Sequence, residues 1–218
     1  MRALGRRSIL LLAALAFAAP AASADDAGAP ARETLDGAKL DGVLADIAKA
    51  RAPVKTMRAS FTQERKITLL ATTVSSTGEM IYAAPDRLRW DLAAPDDIVY
   101  FIGPEGLSYK TKSSTATVPA QGASVAKALT DVRALLGGDL ASLKERYTLS
   151  GSRSTSDVEI DGTAKDPKAS VRGFVLVLDK GLVNPLRAEL REGKSDRVDL
   201  RFTNVTINEK IDPAKLRP

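Results

Sequence analysis

The chain has 218 residues, with 32 Lys and Arg against 27 Asp and Glu, and contains no His and no Cys. The absence of those two residue types excludes disulfides, zinc fingers, thiol nucleophiles and a Ser-His-Asp triad. The apolar fraction of 44% and charged fraction of 27% are typical of a soluble globular protein. A metal site would need oxygen ligands only, and nothing in the sequence indicates a metal or a cofactor.

The N-terminus has the pattern of a secretory signal peptide. Three arginines among the first seven residues precede the apolar run Ile9–Ala19, and small residues follow at Ala22 and Ala24. The run is shorter than the ~20 residues that span a bilayer, so we predict cleavage after Ala24 and a protein located outside the cytoplasm. Arg6 and Arg7 leave the general and twin-arginine export routes both open.

The rest of the chain is predicted to form one domain. Removing 24 of the 218 residues leaves 194 and lowers the net charge from +5 to +2, because the removed charges are all basic. A net charge this close to zero does not indicate a nucleic-acid-binding surface. Residues 25–34 lack periodicity and are predicted to be a flexible leader, and residues 35–218 are predicted to be the domain.

Three segments have helical spacing. Apolar residues recur at i, i+3, i+4 and i+7 from Leu40, which predicts a helix that ends before Pro53. A second helix is predicted between an N-cap at Ser124 and a stop at Gly137. Residues 139–146 are predicted to form a third, short helix.

The remaining segments have strand patterns, and the clearest is Arg87–Leu92. Leu88, Trp90 and Leu92 share one face of it, and charged residues share the other. Strands about ten residues apart, with turn residues between them, predict an antiparallel sheet. Residues 112–122 are predicted to be a linker. The predicted strands are 57–70, 78–82, 87–92, 98–102, 107–109, 147–150, 158–160, 171–178, 187–190, 197–203 and 205–208.

Three helices are too few to cover a flat sheet of ten or eleven half-apolar strands. We therefore expect the sheet to curl, with the helices across its mouth. After the signal peptide the chain has only four Phe, four Tyr and Trp90, so we expect an under-filled interior that can hold an apolar chain. Each buried CH₂ contributes roughly 0.8 kcal/mol. An ordinary packed core without a cavity is the alternative.

Three motifs agree in order and spacing with a family signature. The first is Met57–Gln63, with its Ser-Phe-Thr-Gln core; the second combines Gly78–Tyr82 with Pro85–Trp90; the third joins Pro95 to the strands that end at Tyr109. Together they resemble the LolA family, periplasmic carriers that take lipoproteins from the inner to the outer membrane. The chain is similar to a divergent member of that family.

The resemblance implies a mainly β fold, an incomplete antiparallel barrel with a lid of about three helices over an apolar cavity for acyl chains. It implies a non-enzymatic carrier of lipoproteins or a related lipid, with an inner-membrane lipoprotein-releasing ABC transporter and an outer-membrane receptor as partners. We predict a monomer. The predicted lid contacts are Leu129, Val132 and Leu136. The predicted cavity wall is Met80, Tyr82, Leu88, Trp90, Leu92, Tyr100, Ile102, Tyr109, Leu176 and Leu178.

The chain departs from the family at the position just before Pro85. The resemblance implies a basic residue, usually Arg, that tethers the lid just before Pro85, and this chain has Ala84 there. Arg87 and Arg89 are the nearest basic residues, but strand alternation places both on the face opposite Trp90.

Two alternative functions stay open. Ser124 and Lys127 form the Ser-x-x-Lys motif of serine acyl-enzymes, although the companion motifs are absent and a helix cap is the favoured explanation of the serine. Asp96 and Asp97 are interpreted as turn residues rather than cation ligands. The second alternative is a closed, non-enzymatic interaction module without an internal cavity.

Overall fold

The computed structural model describes residues 31–104, 106–118, 124–138, 140–193 and 195–217. The predicted signal peptide and most of the predicted leader lie outside these residues. Within the described ranges, no helix combines the length and the apolarity that crossing a membrane requires.

Twelve antiparallel strands form one sheet, in the order β1-β8-β9-β10-β11-β12-β2-β3-β4-β5-β6-β7. The order leaves β1 and β7 as the two edges, so the described sheet is not closed into a barrel. The strands are β1 (Glu33–Leu35), β2 (Thr56–Ile67), β3 (Thr72–Ala83), β4 (Arg87–Leu92), β5 (Ile98–Gly103), β6 (Gly106–Lys110), β7 (Thr115–Val118), β8 (Tyr147–Arg153), β9 (Asp157–Ala164), β10 (Val171–Asp179), β11 (Pro185–Glu192) and β12 (Asp196–Ile207).

Three α-helices accompany the sheet, as the sequence predicts. They are α1 (Gly37–Arg51), α2 (Ser124–Gly137) and α3 (Leu140–Arg146), and single 3₁₀ turns lie at Thr68–Leu70 and Pro213–Leu216. The α1 stripe that begins at Leu40 is buried against the sheet. Side chains from the helices and from the concave face of the sheet form one apolar cluster. The predicted fold class, a mainly β open barrel with a helical lid, is confirmed.

Three details of the predicted elements are wrong. The predicted linker contains β7, whose pairing with β6 is a tertiary contact that composition does not report. The two C-terminal strands are one strand, β12, because Asn204 takes a left-handed φ of 51° at an irregularity and the ladder continues beyond it. Glu33 and Thr34, the end of the predicted leader, pair with β8.

The convex face carries a small apolar patch of its own. Ile81 and Phe101 are only 3% and 6% exposed, and the Arg89 guanidinium lies 5.4 Å from the centre of the Phe101 ring. Arg89 also donates to Asp91 Oδ2 at 2.6 Å and to the Lys215 carbonyl at 3.3 Å. Arg89 is therefore engaged with the C-terminal segment on the outer face, away from the lid.

Candidate functional site

The predicted wall residues of β3 to β6 lie on two adjacent rungs of the sheet, except Leu92, which pairs with Gly78 and Ile98 on a third rung. Met80 pairs with Trp90, which pairs with Tyr100, which pairs with Tyr109. On the next rung Tyr82 pairs with Leu88, and Leu88 with Ile102. Because side chains alternate between faces, each rung points to the concave side as a unit. The register of β3 to β6 therefore puts these residues on one face of the sheet.

The structure brings almost the whole predicted wall together. Leu176 and Leu178 of β10 are 1% and 0% exposed and belong to the same apolar cluster as Met80 and Trp90. Tyr100 is half-buried and packs against that cluster. Tyr109 is also half-buried, with its ring 6.5 Å from the Tyr100 ring, and it is not a member of the cluster. Tyr109 thus marks the outer limit of the wall.

An aromatic group at the centre of the wall was missed from the sequence. Phe61 of β2 stacks on Trp90 with ring centres 4.2 Å apart, and Phe202 of β12 meets both rings edge-on at 6.4 Å. Gly78 makes room for Phe61, because a Cβ there would lie 2.4 Å from Phe61 Cζ. The alternation of Met57, Ala59 and Phe61 along β2 is the sequence pattern that could have identified Phe61 as a wall residue. The middle of the concave face is therefore more fully occupied than composition predicts.

Helix α2 lies across this wall as a lid. It packs against β3, β5 and β10, and it buries Val132, Leu135 and Leu136 to between 1% and 3% exposure. Val132 and Leu136 were predicted as lid contacts, and Leu135 was not. The side chain of Leu129 lies outside the described residues, as do those of Ser124 and Lys127 at the start of α2.

Arg51, the last residue of α1, fastens the lid from below. Its side chain is 2% exposed and donates to the carbonyls of Leu135 at 3.2 Å and Leu136 at the end of α2. It also donates to Leu182 O at 3.2 Å and Val183 O at 2.6 Å in the turn between β10 and β11. A cation at a helix C-terminus pairs with its free carbonyls and its dipole.

Burial makes the Arg51 guanidinium more acidic than an exposed one. Desolvation lowers the pKa of Arg51 to about 10, with the carboxylate of Asp179 opposing that effect. Arg51 therefore stays charged at neutral pH and keeps all four acceptors. The family resemblance implies a lid tether at the position of Ala84, and in this chain Arg51 of α1 donates to the lid instead. Its acceptors are backbone carbonyls, which every residue type has, so the sequence does not reveal the contact.

Three further polar contacts, made by two side chains of α2, hold the lid at its side. Asp131 of α2 is 2% exposed, accepts from the Tyr147 hydroxyl at 2.6 Å and pairs with Arg146 at 2.7 Å. Burial and the bond to Asp131 raise the pKa of Tyr147. Arg133 Nη1 donates to the Asp86 carbonyl, in the turn between β3 and β4, at 3.1 Å. The lid is therefore fixed to α1, β8 and this turn by buried or half-buried polar groups.

The fold and the site define a class of protein, an open β-barrel whose apolar concave face is covered by a helical lid. The model of the family described as outer membrane lipoprotein carrier protein LolA matches residues 52–217. The chain belongs to the LolA family, which is a family of lipid-binding carriers. No curated protein is similar enough to match.

Several solved structures are similar to this chain. An uncharacterized conserved protein from Thermus thermophilus is 10% identical, with 82% of this chain and 93% of that chain covered and a TM-score of 0.50. A LolA superfamily protein from Nitrosomonas europaea is 9% identical (81% and 97% covered, TM-score 0.44). Lipoprotein LppX from Mycobacterium tuberculosis is 17% identical (79% and 98% covered, TM-score 0.43). At such identities the likeness concerns the fold alone.

Proposed function

We propose that this protein is a periplasmic carrier that holds the acyl chains of a lipoprotein, or of a related lipid, on its concave face and shuttles them from the inner to the outer membrane. One observation carries the proposal. A continuous apolar wall, centred on Trp90, is covered by the helices, and polar groups fasten α2 at a few points.

The energetics suit reversible loading. Half a dozen buried methylenes contribute roughly 5 kcal/mol before binding costs. An acyl chain that enters between the wall and α2 replaces apolar contacts that Val132, Leu135 and Leu136 already make. The exchange swaps one apolar surface for another, so the carrier holds its cargo with a small net free energy. Cargo held in this way moves on to an acceptor with a modestly higher affinity.

Hand-over requires a partner at each membrane. We propose an inner-membrane lipoprotein-releasing ABC transporter as donor and an outer-membrane receptor as acceptor, following the family resemblance. Transfer along this route is a sequence of binding equilibria, in which no bond of the cargo is made or broken. The protein therefore acts as a carrier and not as an enzyme.

Native mass spectrometry of protein recovered from the periplasm tests the proposal. We expect a protein mass that begins at Asp25, together with a second species heavier by one lipid or lipoprotein. Organic extraction of the same sample is the matched control and should return the bound species to the bare protein mass. A bare mass in fresh periplasmic protein, with no uptake of added fatty acid, would contradict the proposal.

A further inference from the structure

A pocket of about 360 Å³ opens at the mouth of the barrel, between α2, α3 and the turn that joins β3 to β4. Arg133 and Gly137 of α2 line it on one side, and Glu145 and Arg146 of α3 line it on the other. Tyr82 of β3 lines it from below. The pocket is thus polar at its rim and lies directly beside the apolar wall.

Tyr82 connects this pocket to the acyl-binding wall. Its ring is 4% exposed and belongs to the apolar cluster, while its hydroxyl donates to the Pro85 carbonyl at 3.4 Å. A Cβ at Gly137 would lie 3.0 Å from the Tyr82 hydroxyl oxygen, so the absence of a side chain lets the ring reach the lid. An amphiphile with its chain on the wall would therefore emerge past Tyr82 with its polar end in the pocket.

The charges of the pocket favour an anion. The half-buried Arg133 makes one hydrogen bond among the described residues, to the backbone of Asp86, and no ion pair. A guanidinium has five N–H donors, so most of those on Arg133 remain for a ligand. Arg146 is shared with Asp131, and Glu145 is the opposing charge at the rim. Arg133 is therefore the cation of this pocket whose N–H donors are available to a ligand.

We propose that this pocket receives the negatively charged phosphodiester headgroup of the lipid whose acyl chains lie on the concave wall, with Arg133 as its principal contact. This assignment rests on the proposed carrier function and narrows its cargo to the related lipid of that proposal, because the acyl anchor of a lipoprotein carries no phosphodiester. The planar guanidinium matches two oxygens of a phosphodiester, and the half-buried position strengthens each charged hydrogen bond.

Two single-chain lipids with the same palmitoyl chain, one with a phosphodiester and one without, test the assignment. The probe is the neutral dye N-phenyl-1-naphthylamine, displaced by lysophosphatidylglycerol or by the uncharged, phosphate-free 1-palmitoylglycerol, each below the concentration at which it aggregates. We expect the anionic lysolipid to displace the dye at about tenfold lower concentration, the ratio that one charged hydrogen bond gives. In Arg133→Gln the ratio should fall to about one, whereas in Arg172→Gln, a half-buried arginine at a different pocket, it should persist.

The outcomes separate the assignment from the carrier function. If neither the dye nor either palmitoyl lipid binds, the carrier function itself fails. If lysophosphatidylglycerol and 1-palmitoylglycerol bind equally to the unaltered protein, the headgroup assignment is overturned while the carrier function stands. If Arg172→Gln also loses the preference for the anionic lysolipid, the preference comes from the overall charge of the protein, and the assignment is overturned. If inorganic phosphate removes the preference without displacing the dye, the phosphate group is what Arg133 contacts, as proposed.

Discussion

Replacing Arg51 with methionine is expected to lower the free energy of unfolding by about 2–4 kcal/mol. The change leaves the carbonyls of Leu135, Leu136, Leu182 and Val183 without their donor. Release of a buried cation offsets part of that loss, which is why the expected value is below the sum of four hydrogen bonds. Urea unfolding followed by Trp fluorescence measures the effect.

A matched substitution separates the loss of the Arg51 hydrogen bonds from the effect of placing a methionine in the last turn of α1. Lys49→Met alters an exposed residue in the same last turn of α1 and should change the stability by less than about 0.5 kcal/mol. Hydrogen exchange supplies a second readout, because Arg51→Met should speed exchange in α2 more than in β2 or β3. Equal protection of α2 in both variants would show that Arg51 does not hold the lid.

Replacing Phe61 with alanine is expected to lower the free energy of unfolding by about 3–5 kcal/mol. Phe61 is 2% exposed, stacks on Trp90 and contacts Phe202, so its removal opens an apolar void at the centre of the wall. Because the void borders the proposed acyl site, the affinity for a fatty acid should change together with the stability. Urea unfolding and a fatty-acid titration measure the two effects.

Phe101→Ala is the matched control for Phe61→Ala. Phe101 is 6% exposed but lies on the convex face beneath Arg89, so its removal should also destabilise the protein. Its removal should leave the fatty-acid affinity unchanged, since the convex face is not part of the wall. If both variants change that affinity equally, the concave face has no special part in binding.

Strand alternation made the wall predictable from the sequence. The face shared by Leu88, Trp90 and Leu92 is set by a period of two, and pairing with Met80 and Tyr100 then follows from the order of the hairpins. The need to cover an apolar sheet with few helices predicted the curl and the lid. The shared face, the curl and the lid follow from the alternation of residues along each strand and from the need to bury apolar side chains, and both can be read from a sequence.

The lid attachment and the polar pocket could not be predicted in the same way. Arg51 binds backbone carbonyls 84 to 132 residues away, and any residue type supplies a carbonyl. The pocket at Arg133 forms where two helices and a turn meet, which no local period describes. Phe61 lay on an alternating face, but only the Phe61–Gly78 pairing shows why so large a ring fits there.

Quenching of Trp90 by a brominated fatty acid tests the central claim most directly. Trp90 is the one tryptophan of the chain and is 3% exposed in the middle of the wall, so its emission reports contact with a bromine atom at that place. We predict saturable quenching by 9,10-dibromostearate, none by stearate, and recovery of the emission when stearate competes. Unchanged Trp90 emission at concentrations where fatty acid is bound would contradict the account.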